Sequence, residues 1–157
     1  MGTVTYPHAG VERRLDELFV AIRPQMDLNE TLAQKFVVAW TPGMLFLDSD
    51  ENIHHRAYGF HPPEEFEHLL DVGHGMVRLG RKAYREAAQS FSRVTDDEEK
   101  TTFQPEAMYW LGVALYRSGE KEALGKSWNR LLDQFPESVW AKKASIIRPR
   151  ATAEARR

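Results

Sequence analysis

The stretch that decides the fold is residues 36–48, Phe-Val-Val-Ala-Trp-Thr-Pro-Gly-Met-Leu-Phe-Leu-Asp. The apolar residues 44–47, directly after Pro42 and Gly43, are typical of a β-strand. Residues 48–52, Asp-Ser-Asp-Glu-Asn, are turn formers. Residues 53–60 then return as a second strand. The sequence therefore predicts a β-hairpin in the first half of the chain.

Upstream of the hairpin, the sequence predicts two helices and one further strand. Residues 11–18 carry apolar side chains at helical spacing, and residues 27–29 can cap a short helix over 30–36. Between these helices, residues 19–22 read Phe-Val-Ala-Ile, and Pro24 follows. Because proline cannot donate to a ladder, we expect this strand to end there or to lie at a sheet edge. The predicted sheet has three strands.

Downstream of the hairpin, the chain reads as entirely helical. Residues 62–65, Pro-Pro-Glu-Glu, mark a helix start. Four amphipathic stripes follow, and a last short helix covers about residues 139–147. The stripes comprise Phe66, Leu69, Leu70, Gly73 and Val77; Tyr84, Ala87, Ala88, Phe91 and Val94; Met108, Leu111, Gly112 and Leu115; and Leu124, Trp128, Leu131, Leu132 and Phe135.

The four stripes form two pairs with a repeat-like spacing. In the second pair, Gly112, Trp128 and Pro136 fall where a tetratricopeptide repeat places its small, large and helix-stopping residues. Gly75 takes the corresponding place in the first pair, at an offset of 112 − 75 = 37 residues. The acidic residues 96–99 account for the extra length as a solvated loop. Two repeats rarely stand alone, so we expect them to lean on the first half.

Composition excludes some classes of function. The chain has 157 residues, a formal net charge of −2 and no cysteine. This balance argues against a nucleic-acid footprint, and no apolar run reaches the roughly 20 residues of a membrane span. No secretory signal is visible, so we expect a cytoplasmic protein. The basic residues near the end (Lys142, Lys143, Arg148, Arg150, Arg156 and Arg157) are read as a solvated terminus rather than as a contact to an acidic partner.

The two halves together resemble a known family. Residues 19–27, 36–42, 44–48 and 59–66 resemble the second half of the thioredoxin-like domains that some bacterial proteins fuse to tetratricopeptide repeats, and residues 75–144 resemble those repeats. The resemblance implies that Pro42 is cis. It also implies an N-terminal truncation, because the strand and helix that carry Cys-x-x-Cys have no counterpart. Thiol–disulfide exchange needs a thiolate, so the isolated chain is expected to be redox-inactive.

We therefore expect an α+β fold: a truncated thioredoxin-like unit over residues 1–72, an all-α tetratricopeptide-like region over 73–148, and a tail over 149–157. The missing strand would be a central one, and its loss leaves an edge that proteins usually cover. Either residues 19–22 pair directly with the hairpin, or a neighbouring chain supplies the cover. We favour assembly with another chain.

Six histidines raise the possibility of a metal site (His8, His54, His55, His61, His68 and His74). His54 and His55 point to opposite faces of a strand, and no zinc-ligand spacing is present. A site combining His55, His61 and an acid such as Glu64 is conceivable, but packing is the favoured interpretation. We expect no metal, no cofactor and no catalytic residue, since no nucleophile motif is present either.

Binding is the stronger prediction. On the helix of the third stripe, Tyr109, Val113, Tyr116 and Arg117 share one side, and tyrosine and arginine are enriched in interface hot spots. The alternative is that Tyr109 and Tyr116 pack against the last helix or the first half. A second contact surface is expected at the sheet edge that contains Phe19 and Arg23.

The function predicted from these features is a non-catalytic protein–protein interaction module, as an adaptor or accessory subunit in a hetero-complex or homo-oligomer. Two alternatives remain open. One is a metal- or small-molecule-binding enzyme that uses the histidine-bearing hairpin. The other is a thiol-independent, chaperone-like peptide binder that uses the region around Pro42.

Overall fold

The structure, a computed structural model, describes residues 1–25, 28–98 and 100–148. Within these residues the protein is α+β and mostly helical, with seven α-helices and one two-stranded antiparallel sheet. The predicted tail over 149–157 and the predicted capping residue Asp27 lie outside the described residues. The elements are α1 Ala9–Leu18, α2 Glu30–Phe36, β1 Gly43–Leu47, β2 Ile53–Tyr58, α3 Pro63–Gly80, α4 Tyr84–Thr95, α5 Gln104–Ser118, α6 Lys121–Gln134 and α7 Val139–Ala144, followed by a 3-10 turn, Ser145–Ile147.

Helix α3 is the centre of the fold. It starts at Pro63, where proline suits the first turn, and it packs against α1, both strands, α4 and α5. Two glycines make this close packing possible. A Cβ on Gly73 would lie 2.2 Å from the Phe46 ring, and one on Gly75 would lie 2.5 Å from the Phe91 ring. The predicted division between residues 72 and 73 falls inside this continuous helix.

The helices after α3 stack in sequence. Each helix from α3 to α6 packs against the helix that follows it in the chain. In addition, α3 contacts α5, and α5 contacts α7. Helices α3, α5 and α7 thus form one layer, and α4 and α6, whose backbones do not approach each other, pack on it as the other. Phe91 and Val94 of α4 are fully buried between the layers, together with Ala107 of α5. α5 ends at Ser118 and is followed by Gly119, whose φ of 112° favours glycine.

The predicted hairpin is present. β1 and β2 pair with Gly43 opposite Tyr58 and Leu45 opposite Arg56, and the register shifts between Phe46 and Leu47. Met44 and Phe46 are buried and belong to the cluster that α3 contributes to. The Thr41–Pro42 peptide bond, for which the resemblance implied the cis isomer, is cis.

The predicted third strand over residues 19–22 is wrong. After α1 the chain continues as an extended segment that joins no sheet, so the sheet has two strands instead of three. Phe19 packs on Phe46, with ring centroids 5.6 Å apart, but Val20 is 96% exposed. Strand preference reflects packing against neighbours as much as residue type, and Val20 and Ile22 are left mostly exposed here. The thioredoxin-like sheet and the repeat assignment therefore stay predictions.

Candidate functional site

The predicted binding residues on α5 divide between the core and the surface. Tyr109 stacks on Trp128, with ring centroids 4.7 Å apart and planes at 16°, and lies 5.2 Å from the Trp140 ring. Val113 packs in the same cluster. These two side chains therefore fill the contact of α5 with α6 and α7, which is the alternative that the sequence left open for Tyr109.

The other two predicted residues on α5 lie at the surface. Tyr116 is 44% exposed. The Arg117 guanidinium carbon lies 4.9 Å from the centre of the Tyr84 ring, and its Nη2 donates to the Tyr84 hydroxyl. Arg117 thus joins α5 to the start of α4 and remains exposed. The four residues do not form one surface.

The histidines of the hairpin are held by acids. His54 Nε2 lies 2.8 Å from Asp48 Oδ2, and His55 Nε2 lies 3.0 Å from Glu106 Oε1 on α5. The hydrogen bond from His54, helped by donors from Asn52 and from the backbone of Asp50, holds the pKa of Asp48 well below its usual range against the opposing effect of burial. Glu106 takes the place that the sequence analysis suggested for Glu64.

His61 stands apart from this pairing. Its ring packs against Phe103, with centroids 5.5 Å apart, and its Nε2 is buried with no hydrogen-bond partner among the described residues. Burial lowers the pKa of His61, and the charge of Glu65 opposes that effect only in part. In residues 1–25, 28–98 and 100–148, no group of three or more His, Asp or Glu side chains is arranged to hold a metal ion.

A serine and a histidine do meet between α3 and α4. His74 Nδ1 lies 2.8 Å from Ser90 Oγ, and Arg78 Nε donates to His74 Nε2 over 3.1 Å. An arginine can only donate, so Nε2 is the acceptor and Nδ1 carries the proton. The ring therefore donates to Ser90, whose hydroxyl donates to the Glu86 carbonyl. A catalytic base would have to accept the serine proton, which is the reverse direction.

The same helices share a buried charge network that sequence reasoning missed. The side chain of Asp71 is fully buried, and its two oxygens accept from Arg14 Nε at 2.9 Å and Arg93 Nε at 2.7 Å. Arg14 also pairs with Glu67, which lies 3.1 Å from the His8 ring. The network joins α1, α3 and α4. A signal was present in the sequence, since Asp71 is the one charged residue within the run Leu-Leu-Asp-Val-Gly at 69–73.

The largest exposed apolar side chains of the first half lie in residues 20–41. We call the following five the 20–41 surface: Val20 (96% exposed), Ile22 (78%), Leu28 (74%), Val37 (69%) and Trp40 (70%). This stretch includes the predicted edge residue Arg23, whose guanidinium carbon lies 5.2 Å from the centre of the Tyr6 ring. These five lie within 22 consecutive positions of the chain, and large apolar side chains left exposed in such a stretch are candidates for contact with a partner.

Helix α2, within this stretch, is held loosely on the rest of the fold. Its backbone approaches none of the other described helices and strands. Two long side chains hold it: Lys35 pairs with Glu51, and Arg56 Nη1 donates to the carbonyl oxygens of Phe36 and Val37. None of the seven residues of α2 is buried.

Comparisons with protein-family models, with curated proteins and with solved structures gave no significant match to this chain. Within the described part of the chain, no helix is long and apolar enough to cross a bilayer.

Proposed function

We propose that this chain is a non-catalytic protein-interaction module, an adaptor or accessory subunit, and that the 20–41 surface is its contact surface. The observation that carries the proposal is the exposure of five large apolar side chains in one stretch. Fully burying a side chain of this size contributes about 1.5–3 kcal/mol. A partner that covered most of them would therefore gain several kcal/mol from this stretch alone.

The polar groups of the fold support a binding role over a chemical one. His54 and His55 each meet a carboxylate. In the Ser–His contact described above, the histidine donates its proton to the serine oxygen, so it does not act as a base. These side chains hold elements together: His55 joins β2 to α5, and Ser90 joins α4 to α3. The most exposed large apolar side chains of the first half are instead those of the 20–41 surface.

A partner-capture experiment tests the proposal. Tagged chain is used as bait in extract of its source cells, and the proteins retained by wild type are compared with those retained by the double variant Ile22→Ser, Trp40→Ser. We expect the double variant to lose the specific partner. The matched control is Ile146→Ser, because Ile146 is 82% exposed but lies next to α7.

Two outcomes would contradict the proposal. One is that wild-type chain retains no protein above the level of an unrelated bait. The other is that the double variant retains the same proteins as wild type while Ile146→Ser loses them, which would move the contact surface to the helical end of the molecule.

A second candidate is a holder of unfolded peptides, and the exposure of Trp40 two residues before Pro42 favours it. A peptide holder binds many unrelated extended sequences, whereas an adaptor binds a specific folded partner. Binding of a panel of unstructured peptides, lost on Trp40→Ser and retained on Ile146→Ser, would favour this candidate over the adaptor.

A further inference from the structure

β1 has a free edge whose backbone groups can be assigned residue by residue. The Pro42 carbonyl accepts from the Gly59 N–H at 2.8 Å, and the Asp48 N–H donates to the Asn52 carbonyl at 3.1 Å. In an antiparallel pair, alternate residues direct their peptide groups at the partner strand. Residues 42, 44, 46 and 48 therefore bond to the β2 side, and Gly43, Leu45 and Leu47 direct theirs outward.

These outward groups have no partner within the described chain. None of its residues forms a hydrogen bond with the N–H or C=O of Gly43, Leu45 or Leu47 across the free edge. Phe19 reaches the neighbourhood of the edge through its ring contact with Phe46, but the backbone N–H groups of residues 20–23 pair with no other described residue. An unpaired edge of this kind is a template for another strand.

The charge pattern indicates which strand fits this edge. Residues 37–47 are eleven consecutive positions without a charged side chain. Like charges directly opposite each other destabilise a strand pair. Two copies of this strand pairing here would place no like charges opposite each other. The outer edge of β2 differs, because Arg56 lies opposite Leu45 in the hairpin and would face another arginine in the same kind of pairing.

We propose that two copies of this chain pair through β1, antiparallel about a two-fold axis at Leu45, and form a continuous four-stranded sheet. Leu45 then lies opposite the partner's Leu45, and Gly43 lies opposite the partner's Leu47. The three outward residues of each copy make about six backbone hydrogen bonds across the axis. This inference rests on the proposed function and names a second copy as one partner.

The glycine at position 43 fits this arrangement. A Cβ there would lie 3.0 Å from the Trp40 carbonyl oxygen and 3.2 Å from the Tyr58 ring, so the position has little room for a side chain. In the paired sheet it faces a leucine of the partner. The small Gly43 then lies opposite a large leucine, and Leu45 lies at the axis. Together these residues form a row of apolar residues on this face of the sheet.

The absence of cysteine allows a clean test, because a single engineered thiol is then the only one in the chain. Directly opposed hydrogen-bonded residues have Cα atoms about 5.5 Å apart, within the span of a disulfide. We expect Leu45→Cys to form a disulfide-linked dimer under mild oxidation. The control is Tyr58→Cys on β2, whose copies would lie three strand spacings or more apart, at least about 14 Å.

The expected result is that Leu45→Cys cross-links about tenfold or more faster than Tyr58→Cys at the same concentration, since only the first satisfies disulfide geometry. Equal rates for the two variants would overturn the proposal. Sedimentation of wild type gives the second readout: a dimer at about 100 µM is expected, and a monomer at that concentration would overturn it.

A charge substitution completes the test. Leu45→Lys places two ammonium groups opposite each other at the axis, so we expect the dimer to be lost while the circular dichroism spectrum and thermal transition of the monomer are kept. A dimer that survives Leu45→Lys would contradict pairing through β1. A wild-type monomer that still captures a partner through Ile22 and Trp40 would end this inference and leave the proposed function standing.

Discussion

Two regions of this protein differ in the burial of the same kinds of apolar side chain. In the layers formed by α3 to α6, Phe91, Val72 and Val94 are fully buried, and Gly75 lets the Phe91 ring approach α3. In residues 20–41, valine, isoleucine and tryptophan are mostly exposed. The difference indicates that the helices supply the stability of the fold, whereas residues 20–41 add little to it and are available for binding.

The largest test of this comparison is Phe91→Ala. Removing a fully buried ring costs about 3–5 kcal/mol, so the free energy of unfolding measured with urea should fall by that amount. The matched control is Phe60→Ala, since Phe60 is 58% exposed, and its cost is expected to stay below about 1 kcal/mol. If the two losses were equal, the helical layers would not be the stable part of the molecule.

Much of the fold could be predicted because its signals are local. The hairpin has a turn rich in Asp and Asn between two apolar runs, and Asp48 Oδ1 does accept from the backbone of Asp50 and Asn52. The helices follow the 3.6-residue spacing of their apolar residues, and α3 and α5 carry proline in the first turn. Each signal lies within a few residues of the structure that it specifies.

The parts that failed depend on distant neighbours. Residues 19–22 have the composition of a strand, but Val20 and Ile22 stay exposed because no strand lies where they would pair. His55 could not be matched to its acid, since Glu106 is 51 residues away. The same holds for Tyr109: the spacing of residues on α5 left both binding and packing open, and Tyr109 meets Trp128 and Trp140 on other helices.

An acid titration gives a test of intermediate size, because it acts on the contact of His74 between α3 and α4 and on the packing of His61 against Phe103. Burial lowers the pKa of His74, and the charges of Arg78 and Arg93 lower it further, while Asp71 opposes them. Burial also lowers the pKa of His61. Both rings are therefore neutral in the folded protein at pH values where the unfolded chain, with histidine near about 6.5, already binds protons.

The sign of the effect follows from this difference in proton uptake. Above about pH 6.5 neither state protonates these rings, and the stability that they contribute is fully present. As pH falls below that value, the unfolded chain takes up protons first, so the free energy of unfolding decreases until the folded rings are protonated too. Urea midpoints measured in steps from pH 7.5 to 5 should show this decline.

The variant His74→Gln tests whether protonation of His74 contributes to this decline in stability. Glutamine can accept from Arg78 and donate to Ser90, but it does not titrate, so we expect a shallower decline between pH 6.5 and 5 than in wild type. Ser90→Ala is the control, since it removes the same contact but keeps a histidine at position 74. An unchanged slope in His74→Gln would show that this contact between α3 and α4 does not titrate in the expected range.

The smallest expected effect uses one chemical change in both regions. Val72→Ala removes two methyl groups from a fully buried position and should cost about 1.5–2.5 kcal/mol, whereas Val20→Ala at 96% exposure should stay within about 0.5 kcal/mol. Urea unfolding at low protein concentration measures both costs in the monomer.

Repeating the measurement of Val20→Ala at increasing protein concentration then separates two explanations of any loss of stability. A cost that is present at every concentration means that Val20 packs within its own chain, which the comparison does not allow. A cost that appears only as the concentration rises means that Val20 is covered by a second copy, as expected if the exposed apolar side chains of residues 20–41 lie next to a paired β1.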